Sequence, residues 1–296
     1  MTTHTTPMDE LTSKVLKSLE NTTDPRFKFI MSTLVKKAHE FLREVDLTPQ
    51  EWFAAIEFLT ATGQICDDKR QEFILLSDTL GLSMMTVVLD QERKAGIKIK
   101  HPATEATVMG PYYWEGAPML PNGSDIAPGV KGHPTLYRGT VYDTDGHPLS
   151  GALLDIWSGD GEGTYDMQID GAGMAARARI KTDQDGKYWY WSICPYYYPI
   201  PMDGPVGTMI HKMQRDENRP GHIHMRVSAD QHEEVVTHLF VANSPYIESD
   251  VVFGVRDGLV VDFKKLPAGT APDGRPMERD YFVADYDYYL YPQQTK

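Results

Sequence analysis

The feature that most limits the fold is a change in hydrophobic periodicity near residue 100 of this 296-residue chain. Before it, apolar residues recur at spacings of three and four, as in the run from Ile30 to Val45, which is the period of an amphipathic helix. From about Thr104, proline, glycine and short alternating runs take over, a pattern typical of an all-β region. We therefore predict a helical N-terminal domain at residues 1–103 and a β domain at residues 104–296.

Three segments of the first domain are predicted to be helical. After the run from Ile30 to Val45, a second helix should begin at Thr48-Pro49-Gln50-Glu51, a capping box with proline at the first helical position. A third pattern runs from Phe73 to about Glu92. Core packing accounts for most of these apolar residues, although Met84 to Val88 could also wall a ligand pocket.

The second domain is predicted to be an antiparallel β-sandwich, so the chain as a whole is mainly β with an N-terminal α-helical segment. Asp145-Gly146 and Asp185-Gly186 lie between strand-like runs as tight-turn signals, and short strands with such turns favour a sandwich over a parallel sheet. The predicted strands are Leu136–Tyr142, Ala152–Trp157, Arg177–Lys181, Lys187–Ile193, His222–Val227, Val235–Val241 and Leu259–Phe263.

Composition excludes several classes of partner. A net charge of −13 argues against a nucleic acid held through its phosphates and against an anionic membrane. The two cysteines are far apart and form no CxxC, which favours a reducing compartment over a disulfide framework. Because the N-terminus lacks a signal-peptide pattern and no apolar run approaches roughly 20 residues, we expect a cytoplasmic protein.

One motif carries most of the chemical information: Arg219-Pro220-Gly221-His222-Ile223-His224. Side chains alternate along a strand, so the two imidazoles share a face and suit two ligands of one metal, although a surface pair is as plausible. A tyrosine-dense stretch ending at Tyr198 precedes the motif. A phenol with a pKa of about 10 needs a strongly acidic cation to ionise it at neutral pH. Tyrosine together with histidine therefore indicates ferric iron rather than zinc.

The residues alone leave alternatives open. Tyr196, Tyr197 and Tyr198 cannot be told apart as ligands, and a lone Tyr165 is more often a loop or interface tyrosine. The segments 139–152 and 182–188 resemble the strands and turns of transthyretin-like modules, many of which only bind or space other domains. Since a fold does not establish a function, a non-catalytic binding module is the alternative from a different class.

Taken together, the motifs resemble those of the intradiol ring-cleaving dioxygenases, non-haem ferric enzymes that split catechols between their two hydroxyls. The resemblance covers nearly the whole chain, because the catechol and hydroxyquinol branch of that family also has an N-terminal helical segment. The matching motifs are Gly110–Pro118, Leu154–Trp157, Gly163–Asp166, Tyr198–Gly207 and Arg219–His224.

The resemblance implies a ligand set of Tyr165, Tyr198, His222 and His224 for Fe³⁺. Two phenolates and one hydroxide balance the charge of the ion, and hard anionic oxygen suits hard ferric iron. In that family the second tyrosine, here Tyr198, leaves the metal and takes up a substrate proton. Arg219 matches the family's active-site arginine, whose permanent charge stabilises negative charge that develops on the substrate.

The resemblance also implies a substrate pocket. Catechol enzymes typically carry glutamine where this chain has His238, which suggests a role beside the ligands or in the pocket, although a hydrogen-bonded core histidine is equally consistent. The matching wall positions are Val108, Met109, Gly110, Pro111, Tyr112, Ile200, Pro201, Arg219 and Val252, with Met84 on the third helix.

The expected reaction inserts both atoms of O₂ into a catechol-type ring, giving a maleylacetate- or hydroxymuconate-type product. The forms of Tyr198–Gly207 and Asp250–Val255 favour hydroxyquinol (1,2,4-trihydroxybenzene), with catechol or a substituted catechol as the alternative. Hydroxyquinol enzymes often carry an acidic residue where Met84–Val88 has none, which would suit a methyl- or halogen-substituted ring. The family resemblance further implies a homodimer through the N-terminal helices, sometimes with a bound lipid.

Overall fold

A computed structural model describes residues 6–67, 70–94 and 96–293. The chain forms two compact units, Met1–Ala61 and Thr62–Lys296. The helices are α1 (Pro7–Ser18), α2 (Pro25–Glu44), α3 (Pro49–Gln64), α4 (Glu72–Thr79), α5 (Leu82–Lys94) and α6 (Pro205–Met213). By contacts, α4 and α5 therefore belong to the unit that contains the sheets. The division at residues 103 and 104, which rests on the type of secondary structure, stays a prediction.

The strands all lie in the second unit. They are β1 (Met119–Leu120), β2 (Pro134–Asp143), β3 (Leu153–Trp157), β4 (Arg177–Lys181), β5 (Lys187–Ile193), β6 (Tyr198–Pro199), β7 (Asn218–Arg219), β8 (His222–Ser228), β9 (Val235–Val241), β10 (Val260–Val261), β11 (Lys264–Leu266), β12 (Gly269–Thr270), β13 (Pro276–Met277), β14 (Tyr281–Asp285) and β15 (Tyr288–Leu290). The predicted bounds of β4, β5 and β9 are confirmed. The last predicted strand, Leu259–Phe263, is reduced to the two residues of β10.

In the first unit, α1 and α2 are joined by polar contacts. The Arg43 guanidinium lies 2.7 Å from the Asp9 carboxylate, and Thr12 Oγ1 lies 2.9 Å from His39 Nδ1. Neither helix has a buried residue. The apolar stripe that the sequence assigns to core packing, including Leu34 and Phe41, is exposed in this structure.

The third helical pattern was predicted as one helix and forms two. Gly81 has φ +74°, in the left-handed region that glycine adopts without strain, so α4 ends at Thr79 and α5 begins at Leu82. Among the described residues no single helix is long and apolar enough to cross a membrane. The pair α4 and α5, bent by 69°, passes that test of length and composition only when taken together.

The predicted class, mainly β with an N-terminal helical segment, is confirmed, but the sheets are mixed rather than wholly antiparallel. The largest sheet has the order β1-β4-β3-β8-β9-β10, and the second has β11-β14-β2-β15 with β5 also paired to β2. The pairs β12–β13 and β6–β7 form two small sheets. The pairs β1–β4, β9–β10, β2–β14 and β2–β15 are parallel. Parallel pairing needs long connections between strands, which the sequence pattern of short hairpins did not indicate.

The central strand β8 is buried on both faces. Ile223 and Met225 join the main apolar core, which also contains Leu154, Tyr190 and Leu239. Because side chains alternate along a strand, His222 and His224 face the other side of the sheet. The fold therefore places the histidine pair outside the apolar core but under a cover of further residues.

A buried ion pair follows Tyr165. The carboxylate of Asp166 accepts hydrogen bonds from Arg177 Nε at 2.6 Å and Nη2 at 2.5 Å, and both side chains are 1% exposed. We expect Asp166→Ala to lower the free energy of unfolding by about 3–5 kcal/mol, because it leaves an uncompensated buried guanidinium. Equilibrium denaturation in urea measures this loss.

The matched control is Asp285→Ala, which removes an exposed partner of Arg138. An exposed pair contributes about 0–1 kcal/mol, so this variant should unfold nearly as the parent does. Equal losses in the two variants would contradict the structural role assigned to the buried pair.

Candidate metal centre

The ring nitrogens of His222 and His224 point at each other. Their Nε2 atoms are 3.2 Å apart, and both residues are at most 1% exposed. His222 Nδ1 donates a hydrogen bond to the Pro220 carbonyl at 2.7 Å. That donor fixes the proton on Nδ1 and leaves the lone pair on Nε2, the atom that faces both His224 and the Arg219 guanidinium.

Burial keeps these imidazoles neutral. It lowers the pKa of His222 well below 6.5, and the nearby charge of Arg219 lowers it further. The pKa of His224 is lowered well below 6.5 in the same direction, first by burial and then by His222. Metal ligation requires unprotonated imidazole, so at neutral pH protons do not compete with a metal at this pair.

Two tyrosines complete the cluster. Tyr165 Oη lies 2.9 Å from His224 Nε2. The ring of Tyr198 has its centroid 5.4 Å from that of Tyr165 and 5.6 Å from that of His222. Burial raises the pKa of Tyr165 well above 10. A phenolate at this position therefore needs a strongly acidic cation to replace its proton.

The four predicted ligands fit a metal ion. A cation held about 2.1 Å from two nitrogen donors at a near-right angle places those donors about 3 Å apart, close to the 3.2 Å between the histidine nitrogens. The Tyr165 oxygen lies at a similar distance, 2.9 Å, from His224 Nε2. Two neutral imidazoles with two ionisable phenols form a donor set that suits a hard trivalent cation. The structure brings all four predicted residues into one buried cluster.

His238 lies beside this cluster. The nitrogens of His222, His224 and His238 lie within 4.8 Å of one another, so a three-histidine site is an alternative. However, His238 Nδ1 accepts a long contact of 3.4 Å from the Arg219 guanidinium, and the ring also forms a hydrogen bond with the Val108 backbone. Arginine only donates, so the His238 proton belongs on Nε2 and that atom is a poor ligand. This geometry supports a role for His238 next to the ligands.

Arg219 is held by a buried carboxylate that the sequence reading did not assign. Asp250 accepts from Arg219 Nε at 3.1 Å and Nη2 at 3.3 Å, and from the Gly254 backbone N–H at 2.9 Å. Burial alone would lower the pKa of Arg219, but the Asp250 carboxylate raises it above its usual range. The guanidinium is thereby fixed with Nη1 at 3.1 Å from His222 Nε2.

A cavity of about 200 Å³ lies next to Tyr112, a neighbour of the cluster. Pro111, Tyr112 and Pro201 line it, as the resemblance implies for the pocket wall. The Tyr112 ring stacks on Tyr165 with centroids 4.4 Å apart, so the cavity wall rests directly on a predicted ligand. Gly110 has φ +76°, and a Cβ there would lie 3.0 Å from His224 Cε1, which makes glycine necessary at this close approach.

The other predicted wall residues are not among those that line this cavity. Val108, Ile200, Val252 and Met84 are buried, and Met109 is partly exposed. Met84 reaches the site indirectly: its sulfur is 3.4 Å from Thr107 Oγ1, which donates to the Gly254 carbonyl at 3.0 Å. Gly254 in turn packs against Arg219.

Trp157 is a second contributor to which sequence reasoning gave no role. Its ring stacks on His224, with centroids 4.8 Å apart and planes at 13°. The register explains the contact, since Trp157 and His238 lie opposite His224 on the two neighbouring strands. Trp157 and Asp250 lie in the motifs Leu154–Trp157 and Asp250–Val255. Neither residue type by itself indicates a metal site.

Comparison with known proteins places the whole chain in one family. Residues 108–289 match the model of a family described as "Dioxygenase", and residues 24–98 match one described as "Catechol dioxygenase N terminus". Together the two matches cover α2 to α5 and nearly all of the β region.

Individual relatives are similar over nearly their full length. The hydroxyquinol 1,2-dioxygenase of Nocardioides simplex is 44% identical over 96% of this chain and 95% of its own. The 6-chlorohydroxyquinol 1,2-dioxygenase of Cupriavidus pinatubonensis is 44% identical over 95% of this chain and 96% of its own. The solved structure of hydroxyquinol 1,2-dioxygenase from Pseudomonas putida DLL-E4 has a TM-score of 0.88 at 40% identity, covering 97% of this chain and 99% of that one.

The close packing of Gly254 allows a test of the position of the Arg219 guanidinium. A Cβ at this position would lie 2.8 Å from Arg219 Nη2, so Gly254→Ala should push the guanidinium away from His222. A displacement of about 1 Å at a reacting centre costs up to about 100-fold in rate. We expect oxygen uptake with a catechol-type substrate to fall about 10- to 100-fold.

Gly173→Ala is the matched control, because a Cβ there meets nothing within 4 Å. It should retain the parent's rate. If Gly254→Ala also retained that rate while remaining folded by circular dichroism, the position assigned to Arg219 would be wrong.

Proposed function

Because this chain belongs to the intradiol dioxygenase family and is therefore a ring-cleaving enzyme, we propose that its substrate is hydroxyquinol or a substituted hydroxyquinol. Relatives named for hydroxyquinol and for 6-chlorohydroxyquinol, each 44% identical over nearly the whole chain, support this choice. The expected product is a dicarboxylate of the maleylacetate or hydroxymuconate type. Catechol or a substituted catechol is the alternative substrate.

The cofactor we propose is ferric iron, held by Tyr165, Tyr198, His222 and His224. The observation that carries this proposal is the convergence of a fully buried phenol and two neutral imidazoles, with Tyr165 Oη 2.9 Å from His224 Nε2 and the two Nε2 atoms 3.2 Å apart. When bound, ferric iron supplies the Lewis acidity that binds a catechol as its dianion and draws electron density from the ring.

The chain's own residues then accept protons and stabilise negative charge. We propose that the phenolate oxygen of Tyr198 accepts a substrate proton, because this residue lies at the margin of the cluster and is slightly exposed, whereas Tyr165 is fully buried. Arg219 presents Nη1 toward His222 and offers a permanent positive charge beside the ring-binding position. Its buried partner Asp250 holds this geometry in advance, so little reorganisation is needed during the reaction.

Ring selectivity is proposed to come from the apolar character of α5. Val87 and Val88 stand in the segment where hydroxyquinol enzymes often carry a carboxylate, and Met84 on the same helix is buried against Thr107. A segment without a charged group, such as Met84–Val88, accepts an apolar substituent such as chlorine or methyl more readily than a third hydroxyl. Substituted hydroxyquinols are therefore included in the proposal.

We also propose a cytoplasmic homodimer formed through the N-terminal helices, with a lipid as a further candidate ligand there. The support is the run of large apolar side chains on α2 and α3 that are exposed in the single chain, among them Phe29, Leu34, Phe41 and Trp52. Contact with a second copy of the chain would remove this apolar surface from water.

The iron proposal is tested by colour. Phenolate-to-iron charge transfer should make the iron-loaded protein absorb visible light, and Tyr165→Phe should weaken both that absorption and the iron content, because it removes one anionic ligand. Tyr288→Phe is the matched control, since Tyr288 is also fully buried but lies in the apolar core rather than in the cluster. A colourless parent protein that cannot be loaded with iron would contradict the proposal.

The substrate proposal is tested by oxygen uptake against hydroxyquinol, chlorohydroxyquinol, catechol, methylcatechol and pyrogallol. We expect kcat/KM for the hydroxyquinols to exceed that for catechol by about tenfold, the range in which a pocket discriminates single substituents. Product analysis should find cleavage between the two hydroxyl-bearing carbons. Cleavage outside them would contradict the mechanism, and a preference for catechol would favour the alternative substrate.

A further inference from the structure

The segment from Tyr198 to Gly204 is anchored at both ends. At its start, Tyr198 pairs with Arg219 across β6 and β7, and the Ile200 backbone N–H donates to the Glu217 carbonyl at 2.8 Å. At its far end begins α6, whose first residue is Pro205. The second anchor depends on Arg70 and Glu72, which neither the motifs nor the proposed reaction has used.

That second anchor is a buried carboxylate from α4. Glu72 is fully buried, and its Oε1 accepts the Val206 backbone N–H at 3.2 Å. The residue before α6 is Gly204, which has no side chain with which to cap the helix. The first turn of α6 therefore takes its acceptor from Glu72, a residue far away in sequence.

Arg70 connects this carboxylate to the segment itself. Its Nε donates to Glu72 Oε2 at 3.0 Å, and its Nη1 donates to Asp203 Oδ2 at 2.8 Å. A Cβ on Gly204 would lie 2.7 Å from Arg70 Nη2, so the glycine lets the guanidinium reach both acids. We call Arg70, Glu72 and Asp203 the acidic-arginine latch.

The latch lies beside the metal cluster. Arg70 and Glu72 line the same cavity as Tyr112 and Pro201. Burial raises the pKa of the Tyr112 hydroxyl, and this shift is opposed by Arg70 and reinforced by Asp203, which places both charges near that ring. Tyr112 in turn stacks on Tyr165, so the cavity that the latch lines has a wall in contact with a proposed ligand.

We propose that Arg70 is a positioning residue whose latch holds the Tyr198–Gly204 segment and so sets how readily Tyr198 moves away from His222. This inference rests on the proposed function, in which Tyr198 is the phenol that leaves. Among the described residues, the Arg70 guanidinium bonds to Glu72 and Asp203 rather than to a proposed ligand. It acts through the backbone that carries Tyr198.

The experiment removes the exposed arm of the latch with Asp203→Ala. The Asp203 side chain is 70% exposed, so the variant should fold. The matched control, Asp280→Ala, removes a similarly exposed partner, 3.1 Å from Lys265. The first readout is amide hydrogen exchange of residues 198–206 in the metal-free full chain. We expect about two- to fivefold faster exchange in Asp203→Ala, the range for loss of an exposed ion pair, and no change in the control.

The second readout is transfer of iron from the loaded protein to a chelator, followed through the visible absorption. It should be about two- to fivefold faster in Asp203→Ala and in Arg70→Lys, because a lysine cannot span both acids as the guanidinium fork does. Unchanged exchange, equal acceleration in Asp280→Ala, or unchanged iron transfer would each overturn the proposal. A parent that binds no iron defeats the proposed function instead, and the exchange measurement then decides the latch alone.

Discussion

The two-sided burial of β8 is the constraint on which the rest of the structure depends. Ile223 and Met225 enter the apolar core while His222 and His224 face away from it. Because alternation has a period of two, a slip by one residue would drive both imidazoles into the core and both apolar chains into the site. The core therefore fixes the direction of the metal ligands, and the cost of burying neutral imidazole is offset by hydrogen bonds such as that to Pro220.

Buried ion pairs surround the cluster, and each fixes an element that carries a functional side chain. Asp166 and Arg177 hold the turn after Tyr165, Asp250 holds Arg219, and the pair formed with Glu72 closes the segment after Tyr198. Such pairs add little net stability, since desolvation cancels much of their attraction, whereas breaking one is costly. Their physical effect is to raise the free energy of alternative geometries. This effect matters most for functional residues that lie in loops.

The sequence predicted those parts of the structure that obey local rules. Alternation and turn residues located β4, β5 and β9 at their observed bounds, and proline with a capping box located the start of α3. The break at Gly81 was missed because the apolar spacing of α4 continues into α5. Residue physics could not single out Tyr198 among three adjacent tyrosines, since the choice depends on its pairing with β7. Asp250 was missed as a partner for the same reason: 31 residues separate it from Arg219.

Charge balance gives a reason why one tyrosine must leave in the proposed reaction. The histidines are neutral, and Arg219 is matched by Asp250, so Fe³⁺ with two phenolates and one hydroxide would form a neutral centre. A catechol that replaced the hydroxide as a dianion would leave one net negative charge in a low-dielectric site, which is unfavourable. Of the two protons that the catechol loses, one would convert the hydroxide to water, and the other, returned to one phenolate, would restore the balance. Tyr165 is enclosed by Tyr112 and His224, whereas Tyr198 lies on the short strand β6 and is followed by a tethered segment. We therefore expect Tyr198 to be the residue that takes up the proton and moves.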